Sequence, residues 1–500
     1  MMPRTSAPDK LKQLQNMTED LGAYVIEAAR EGAPAHEVES RIWDQVLKMG
    51  HTALGEFFAC QGHGDVGETF DLPDGRSVKR LEQLHERLYR SIFGEFALQR
   101  AVYGTREGQK IEFVPLDQRL QLPESEFSYL LQDWSQSLGV EHAHGQVSET
   151  LEKILHQKIP VDSLERMNRQ MSTTVEAFRV SRPAPAMEEE GSILVATADN
   201  KGVPMRRPAD QAPVGAKRRK GEKANKKQMA TLGCVYTVDP KVRTADEVIE
   251  SLFRERRRDS DDRSPEAVAQ NKRVWSSLNI GQERGQDRVF EWLAEELEAR
   301  CIDLQQEIPC VMDGQDSLWK DQASYLSGFN IVEILDLLHV TPRIWKAAYL
   351  FHKEGSQEAV AFARSRILRI LEGEVGYVIG GLRQMATKRR LRGAKLRKLK
   401  GICKYLEKNR HRMRYDDYLA QGYPIASGVI EGACRHLVKD RMERAGMRWT
   451  ERGAQAMLDL RSTYVNGQWD EFQTYRIEQE TDRLYPHQDV LDAVEWPQAA

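Results

Sequence analysis

The stretch PCVMDGQDSLWKDQASYLSGFNIVEILDLLHV, residues 309–340, decides the fold class. Two short apolar runs inside it, CVM and NIVEIL, each end on an aspartate, Asp313 and Asp336. Short apolar and β-branched runs bounded by turn signals predict buried strands. An aspartate that ends such a strand lies at the carboxyl edge of a sheet, where open α/β folds build their sites. Gly314 follows Asp313 at once, so the chain can turn sharply and leave room beside the carboxylate. His339 comes three residues after Asp336, in the string DLLH.

The chain has 500 residues, 30% of them charged and 40% apolar, with a net charge of −3. That length suggests about two to four domains. The near-neutral sum hides local segregation and says little about partners. No apolar run approaches ~18 residues, so no membrane span is expected. The polar start MMPRTSAPDKLKQLQ lacks the apolar core of a signal peptide. Cysteines at 60, 234, 301, 310, 403 and 434 form no CxxC pair. In so long a chain they read as reduced thiols of an intracellular, cytoplasmic protein.

Residues 1–70 read as a helical N-terminal segment, with Val38, Ile42 and Val46 at helical spacing. Cys60 and His63 form a CxxH, half of a zinc motif, with no second pair at a workable spacing. Residues 71–122 predict a β-hairpin region, FGEFALQRAVY and IEFVP joined by GTREGQK with Gly104 and Gly108 in the turn. Residues 123–180 are helical. QVSETLEKILH and VDSLERMNRQMSTTVEAF, separated by KIP, resemble a helix-turn-helix whose second helix would carry Arg166, Asn168, Arg169 and Gln170 toward a major groove. Packed helices without a DNA role read the same way.

The proline-rich, acidic stretch 181–190 reads as a linker to a second domain, 191–470. SILVATAD ends on Asp199 and NKGVPM is expected to turn the chain. A basic loop follows, residues 206–227, with Lys217, Arg218, Arg219 and Lys220. QMATLGCVYTV and KRVWSSL are further strand candidates, and RVFEWLAEELEARC an amphipathic helix. About 341–420 the chain is helical and increasingly basic. Residues 381–414 hold fourteen Lys or Arg against one acid, Glu407, among them Lys388, Arg389, Arg390, Arg392, Lys395, Arg397, Lys398 and Lys400. Like charges on a helix repel, so a surface for a polyanion explains the run better than a solvated face, and nucleic acid is the commonest polyanion. Next, Ser427 and Gly446 delimit a helix with Glu431 in its first turn between Gly428 and Gly432. Thr450 caps a further helix, and residues 471–500 read as a polar tail.

Asp199, Asp313 and Glu431 thus stand in the order strand, strand, helix, 114 and 118 residues apart. Three carboxylates so placed are what a two-magnesium phosphoryl-transfer site requires, because hard oxygen ligands hold magnesium while leaving positions open for water and phosphate. Asp239, in VYTVDP, is the rival for a place in the triad, although Pro240 after it fits a turn.

LVATADNKGVPM, CVMDGQDSLW, ILDLLHV with IWKAAYLFH behind it, and YPIASGVIEGACRHLVKDRM followed by GMRW resemble the DDE transposases of bacterial insertion sequences, most closely the ISKra-type family. FGEFALQRAVY and FVPLDQRLQLP are similar to that family's N-terminal region, so the resemblance spans roughly residues 85–465. It implies an α/β fold, an RNase H-like mixed sheet with flanking helices and an all-helical insertion, preceded by a mainly helical region with a β-hairpin. It further implies Asp199, Asp313 and Glu431 as ligands of two Mg2+ ions, with Mn2+ as an alternative, and Asp336 with His339 as the C/D-x2-H motif. One departure is the absence of cysteine from GTREGQK, which puts an N-terminal zinc hairpin in doubt.

The activity so implied is metal-dependent cleavage and strand transfer of double-stranded DNA, at element terminal repeats and in target DNA, by a homo-oligomer associated with the bacterial nucleoid. Two rivals stand beside it. His142-Ala143-His144 hints at a nuclease with a tyrosine nucleophile, though no suitable downstream tyrosine helix follows. A non-catalytic, transposase-derived DNA-binding protein is the other. Asp336 and His339 are expected to brace the site as a hydrogen-bonded pair rather than to hold metal.

Overall fold

The computed structural model describes residues 7–105, 111–206, 227–254, 268–303, 305–444, 446–486, 488–491, 494 and 496. The chain forms two compact units, one of residues 1–174 with 469–500 and one of residues 175–468.

The first unit opens on two long helices, α1 (Ala7–Glu31) and α2 (Ala35–Cys60). Strands β1 (Thr69–Asp71), β2 (Ser77–Arg80) and β5 (Tyr103–Gly104) form one small sheet, and β3 (His85–Ser91) pairs antiparallel with β4 (Gly94–Arg100). The hairpin therefore lies one strand earlier than the sequence suggests. FGEFALQR is its second arm, and Gly94 turns the chain with φ 124°. The expected second arm pairs back through an antiparallel bridge between Tyr103 and Phe113, with Thr105 Oγ1 donating to Glu112 at 2.9 Å, and Gly108 lies outside the described residues. Helices α3 (Pro115–Arg119), α4 (Tyr129–Glu141), α5 (His144–Leu155) and α6 (Val161–Ser172) follow. Phe127, Leu131, Val147, Leu151, Leu164 and Met167 form their shared core. Asn168 belongs to that core. It is 2% exposed and its Nδ2 donates to Gln136 Oε1 at 3.1 Å, so it cannot reach a groove; Arg166 and Arg169 are exposed.

The second unit is α/β. It comprises α7 (Val175–Ser181), β6 (Ile193–Pro204), β7 (Lys227–Val238), α8 (Ala245–Leu252), β8 (Gln270–Leu278), α9 (Gly285–Arg300), β9 (Glu307–Met312), α10 (Asp316–Tyr325) and β10 (Asn330–Leu335). Five helices come next: α11 (Leu337–Phe351), α12 (Gln357–Leu371), α13 (Val375–Lys388), α14 (Gly393–Lys408) and α15 (Tyr415–Ala420). Helix α16 (Gly428–Ala433) runs into a π-helical turn, Cys434–Lys439, then α17 (Asp440–Met442) and α18 (Glu451–Val465). A last helix, α19 (Trp469–Leu484), belongs to the first unit.

The sheet order is β10-β9-β6-β7-β8. β6, β7 and β8 pair antiparallel, whereas β9 runs parallel to β6 and β10 parallel to β9. Leu194, Ala196 and Ala198 face a core built with Val289, Phe290 and Leu293 of α9. Side chains alternate along a strand, so Val195, Thr197 and Asp199 face the other way. Gly233 of β7 lets α9 approach, since an added Cβ would stand 2.8 Å from Val289 Cγ1.

Three expectations are corrected. Asp199 does not end its strand: NKGVPM continues β6 to Pro204, held by β7 through the pair Asn200 and Thr231. Thr231 Oγ1 also donates to Asn200 Oδ1 at 2.6 Å. The stretch read as a linker is anchored, because Glu190 accepts from Arg300 Nε at 2.7 Å and Thr237 Oγ1 at 2.6 Å. The stretch read as a polar tail contains most of α19, whose Phe472 is fully buried and whose Trp469 Nε1 donates to Asp133 Oδ1 at 2.6 Å. No described helix is long and apolar enough to cross a membrane.

Asp459 on α18 accepts from Gln455 Nε2 at 2.8 Å and Trp275 Nε1 at 3.3 Å. Burial pushes its carboxyl up to about 7, against the pull of Arg288 and Arg179. The folded chain then holds a proton that the unfolded chain releases above its ordinary value of 3.8. Stability from this group is full below that value and is lost as pH rises through about 7. Thermal melts of Asp459→Asn should therefore show a gain of about 2–6 °C over wild type at pH 8 and little gain below about pH 4.

Candidate functional site

The register of the parallel strands builds the site. Ala196 of β6 pairs with Cys310 of β9, and Leu335 of β10 with Met312. Asp199 and Asp313 each lie three residues beyond the first pair (199 − 196 and 313 − 310), and Asp336 and Asp313 each lie one beyond the second. The three aspartates are thus in register across neighbouring strands, on the face away from α9. Thr197 Oγ1 ties β6 to β9 by donating to Val311 O at 2.6 Å, and Asp336 N ties β10 to β9 through Met312 O at 2.9 Å. Beyond that point β6 continues beside β7 alone, so the carboxylates stand where the parallel half of the sheet stops.

Asp336 is fully buried and caps α11. Its Oδ1 accepts from Leu338 N at 2.8 Å and Ser427 N at 3.3 Å, and its Oδ2 from His339 Nδ1 at 2.8 Å and from Ser427 Oγ. Four donors fill the acceptor positions of a carboxylate. Asp336, His339 and Glu431 do bring ligand atoms within 4.8 Å of one another, but Asp336 has no lone pair left for an ion. It braces the site. Ser427 stands at the N-cap position of α16 without capping it, because its hydroxyl is spent on Asp336. That bond fixes the helix carrying Glu431 to the end of β10.

Glu431 is exposed at the start of α16. Desolvation first, then the charges of Asp336 and Asp199, raise its carboxyl above the usual range, while His339 and Lys201 oppose the rise. Asp313 is half-buried, its Oδ1 accepting from Gln315 N at 2.7 Å. Burial and then Asp199 raise its carboxyl, against Gln315 N–H, His339 and Arg343. Among the described residues, Asp336, His339 and Glu431 are the group whose ligand atoms come within 4.8 Å of one another, and Asp199 with Asp313 lies outside it. The like charges that raise Asp313 and Glu431 favour proton uptake or a cation. Hydrogen bonding to Asp336 raises the imidazole of His339 and leaves Nε2 as its second ring nitrogen.

Four residues of the site carry no obvious sequence signal of their own. Cys434, buried one turn after Glu431, donates Sγ–H to Asp199 Oδ2 at 3.2 Å. It begins the π-helical turn, whose carbonyls at His436 and Leu437 accept from the buried Arg461. Such turns recur at functional sites. Arg343, four residues after His339, donates to His339 O at 2.6 Å and lies 3.5 Å over the Tyr405 ring. Tyr405 of α14 covers Gly314, where any Cβ would overlap its ring. Lys201 lies within electrostatic reach of Glu431 and Cys434. The i, i+3 and i, i+4 spacings could have flagged Cys434 and Arg343; Tyr405 arrives through tertiary packing alone.

Lys388, Arg389, Arg390, Arg392, Lys395, Arg397, Lys398 and Lys400 are all exposed, along the end of α13 and along α14. Lys217, Arg218, Arg219 and Lys220 lie outside the described residues. In the first unit, Arg166 pairs with Glu126 at 3.6 Å and Arg169 with Glu165 at 3.7 Å. Asp239 accepts from Gln270 Nε2 at 3.2 Å beyond the end of β7. Cys60 and His63 turn to different partners, Glu56 Oε1 and Gln99 O.

Replacing Asp336 by Ala leaves two buried donors unpaired, and should cost about 3–5 kcal/mol in denaturant unfolding. In Asp336→Asn, NMR titration should find the His339 imidazole lowered toward its ordinary 6.5. No protein-family model and no curated protein matches this chain.

Proposed function

We propose that the second unit is an RNase H-like core that cleaves DNA and joins strands with metal ions held by Asp199, Asp313 and Glu431. The observation that carries this reading is the shared register of Asp199, Asp313 and Asp336 on one sheet face, with α16 presenting Glu431 toward them. The mixed strand order, three antiparallel strands extended by two parallel ones, and the five helices between β10 and α16 support the same architecture. The motif resemblance to ISKra-type transposases supports the substrate.

The donor set fits magnesium: hard carboxylate oxygens, two of them raised first by burial and then by neighbouring carboxylates. When bound, the ions would activate the attacking oxygen and stabilise the leaving oxygen of an in-line displacement. Asp199 and Asp313 would hold them from adjacent strands and Glu431 from the helix. Cys434 fixes the Asp199 carboxylate by donating to it, and Asp336 fixes the ring plane of His339. Arg343, half-buried beside Asp313, places a fixed positive charge for a phosphate oxygen. The exposed cations of α14 hold the DNA backbone next to the site, since Tyr405 of the same helix packs on Gly314. A 3′-hydroxyl freed by the first displacement then attacks target DNA in the same geometry.

The direct test is cleavage of a labelled element-end duplex with magnesium, wild type beside Asp313→Asn. Cutting should fall by about three orders of magnitude or more in the variant while DNA affinity holds or rises. Wild type that binds the duplex but never cuts it, with magnesium or manganese, would leave only a DNA-binding protein. For the backbone-binding cations, Lys395→Glu with Lys398→Glu should weaken duplex binding and flatten the plot of log affinity against log salt. The slope should change by about 0.9 for each phosphate that is no longer neutralised, read by fluorescence anisotropy.

A further inference from the structure

Helices α13 and α14 enclose a cleft of about 770 Å³, within the size range of ligand sites, roughly 300–1,000 Å³. Its floor is apolar: Ala386, Leu391, Leu396, Leu399 and Cys403. Its rim is cationic, with Arg390, Arg392, Lys400 and Lys404 all exposed. Glu407, the one acid among the lining residues, is paired with Arg383 at 3.3 Å. At one corner Arg390 holds the left-handed conformation, φ 48°. That conformation ends α13, where Leu391 N donates back to Ala386 O at 2.9 Å, as left-handed residues commonly do at helix C-termini.

A surface that bound only phosphates would need cations without an apolar floor. Phosphate groups flanking one planar, apolar-faced group match both features. The position narrows the choice further. Lys408 lines the same cleft and pairs with Asp316, three residues beyond Asp313. We propose that the cleft receives a single unstacked nucleobase from the DNA strand that passes the candidate site. The proposal rests on the DNA-cleavage reading above.

A base inside a duplex cannot reach the floor, so entry requires it to swing out of the stack, at a cost of a few kcal/mol. Burial of the base against Leu396 and Leu399, stacking of guanidinium planes on it, and contacts from Arg390, Arg392, Lys400 and Lys404 to its phosphates offset that cost. The consequence for the reaction is positional: one base pulled aside holds the neighbouring phosphodiester in place.

The test uses the full chain, without divalent ions, and three generic duplexes. One is fully paired, one carries a single extrahelical adenine, and one carries an extrahelical abasic nucleotide in its place. Wild type should bind the adenine bulge about tenfold tighter than the abasic bulge, the loss expected for one stacked base. Leu396→Trp and Thr387→Phe, which fill the cleft from its two walls, should reduce that ratio to about one while binding the paired duplex within twofold of wild type. Unchanged melting temperatures show that both variants fold, and agreement between them guards against a local effect of either. A wild-type ratio near one overturns the proposal and leaves the DNA reading standing if the paired duplex still binds. Failure to bind any of the three overturns both. Displacement by an acidic amphipathic peptide, with the ratio at one, would assign the cleft to a protein partner instead.

Discussion

Negative charge gathered where the parallel half of the sheet stops, at the ends of β9 and β10 and within β6, is the constraint on which the second unit depends. Register places Asp199, Asp313 and Asp336 side by side, and one of the three is neutralised by the protein itself. Asp336 accepts from two backbone N–H groups, an imidazole and a hydroxyl. Its neighbours have no such complement: Asp313 accepts from a single backbone N–H, and Asp199 from Asn200 N at 2.7 Å and from a thiol. Among the described residues, a saturated carboxylate thus stands beside carboxylates that accept fewer hydrogen bonds. That difference explains why proximity alone would mislead, since the three ligand atoms closest together include the one carboxylate that is already filled.

The same end of the sheet organises the helices around it. Ser427 ties α16 to Asp336, Tyr415 Oη donates to Leu335 O at 2.6 Å, and Tyr405 seats α14 on the glycine after Asp313. A basic helix that would otherwise be a solvated arm is therefore docked at the site by an aromatic ring, with Arg343 stacked on its other side. Burial pushes the Tyr405 hydroxyl up to about 12, so it remains a neutral packing group. The exposed cations of α14 and the carboxylates at the sheet are thereby joined through Tyr405.

Much of this is legible in the sequence because it is local. NIVEIL and CVM read as strands from composition, and both aspartates that end them stand where the turn signals place them. The fold class follows from these runs together with the amphipathic α9. Asp199 is misplaced by sequence alone because the end of an apolar run is not the end of a strand. Antiparallel pairing with β7 carries the polar residues NKG onward, and pairing is a non-local property. The hairpin slips for a related reason: HERLYRS is too polar to announce itself, yet it pairs residue for residue with GEFALQR. Helix α19 looks like a tail because its buried residues, Trp469, Phe472 and Arg476 among them, are few beside many charges. Cys434, Tyr405 and Arg343 join the site only once the chain is folded.

In the function we propose, Asp199, Asp313 and Glu431 hold divalent cations while Asp336 takes no part. Crystals of the full chain soaked in manganese test it without reference to any reaction, through anomalous scattering at the manganese edge. Density bonded to Asp199, Asp313 and Glu431 is expected, with the four hydrogen bonds to Asp336 intact. Manganese ligated by Asp336, or absent from these carboxylates at saturating concentration, would contradict it.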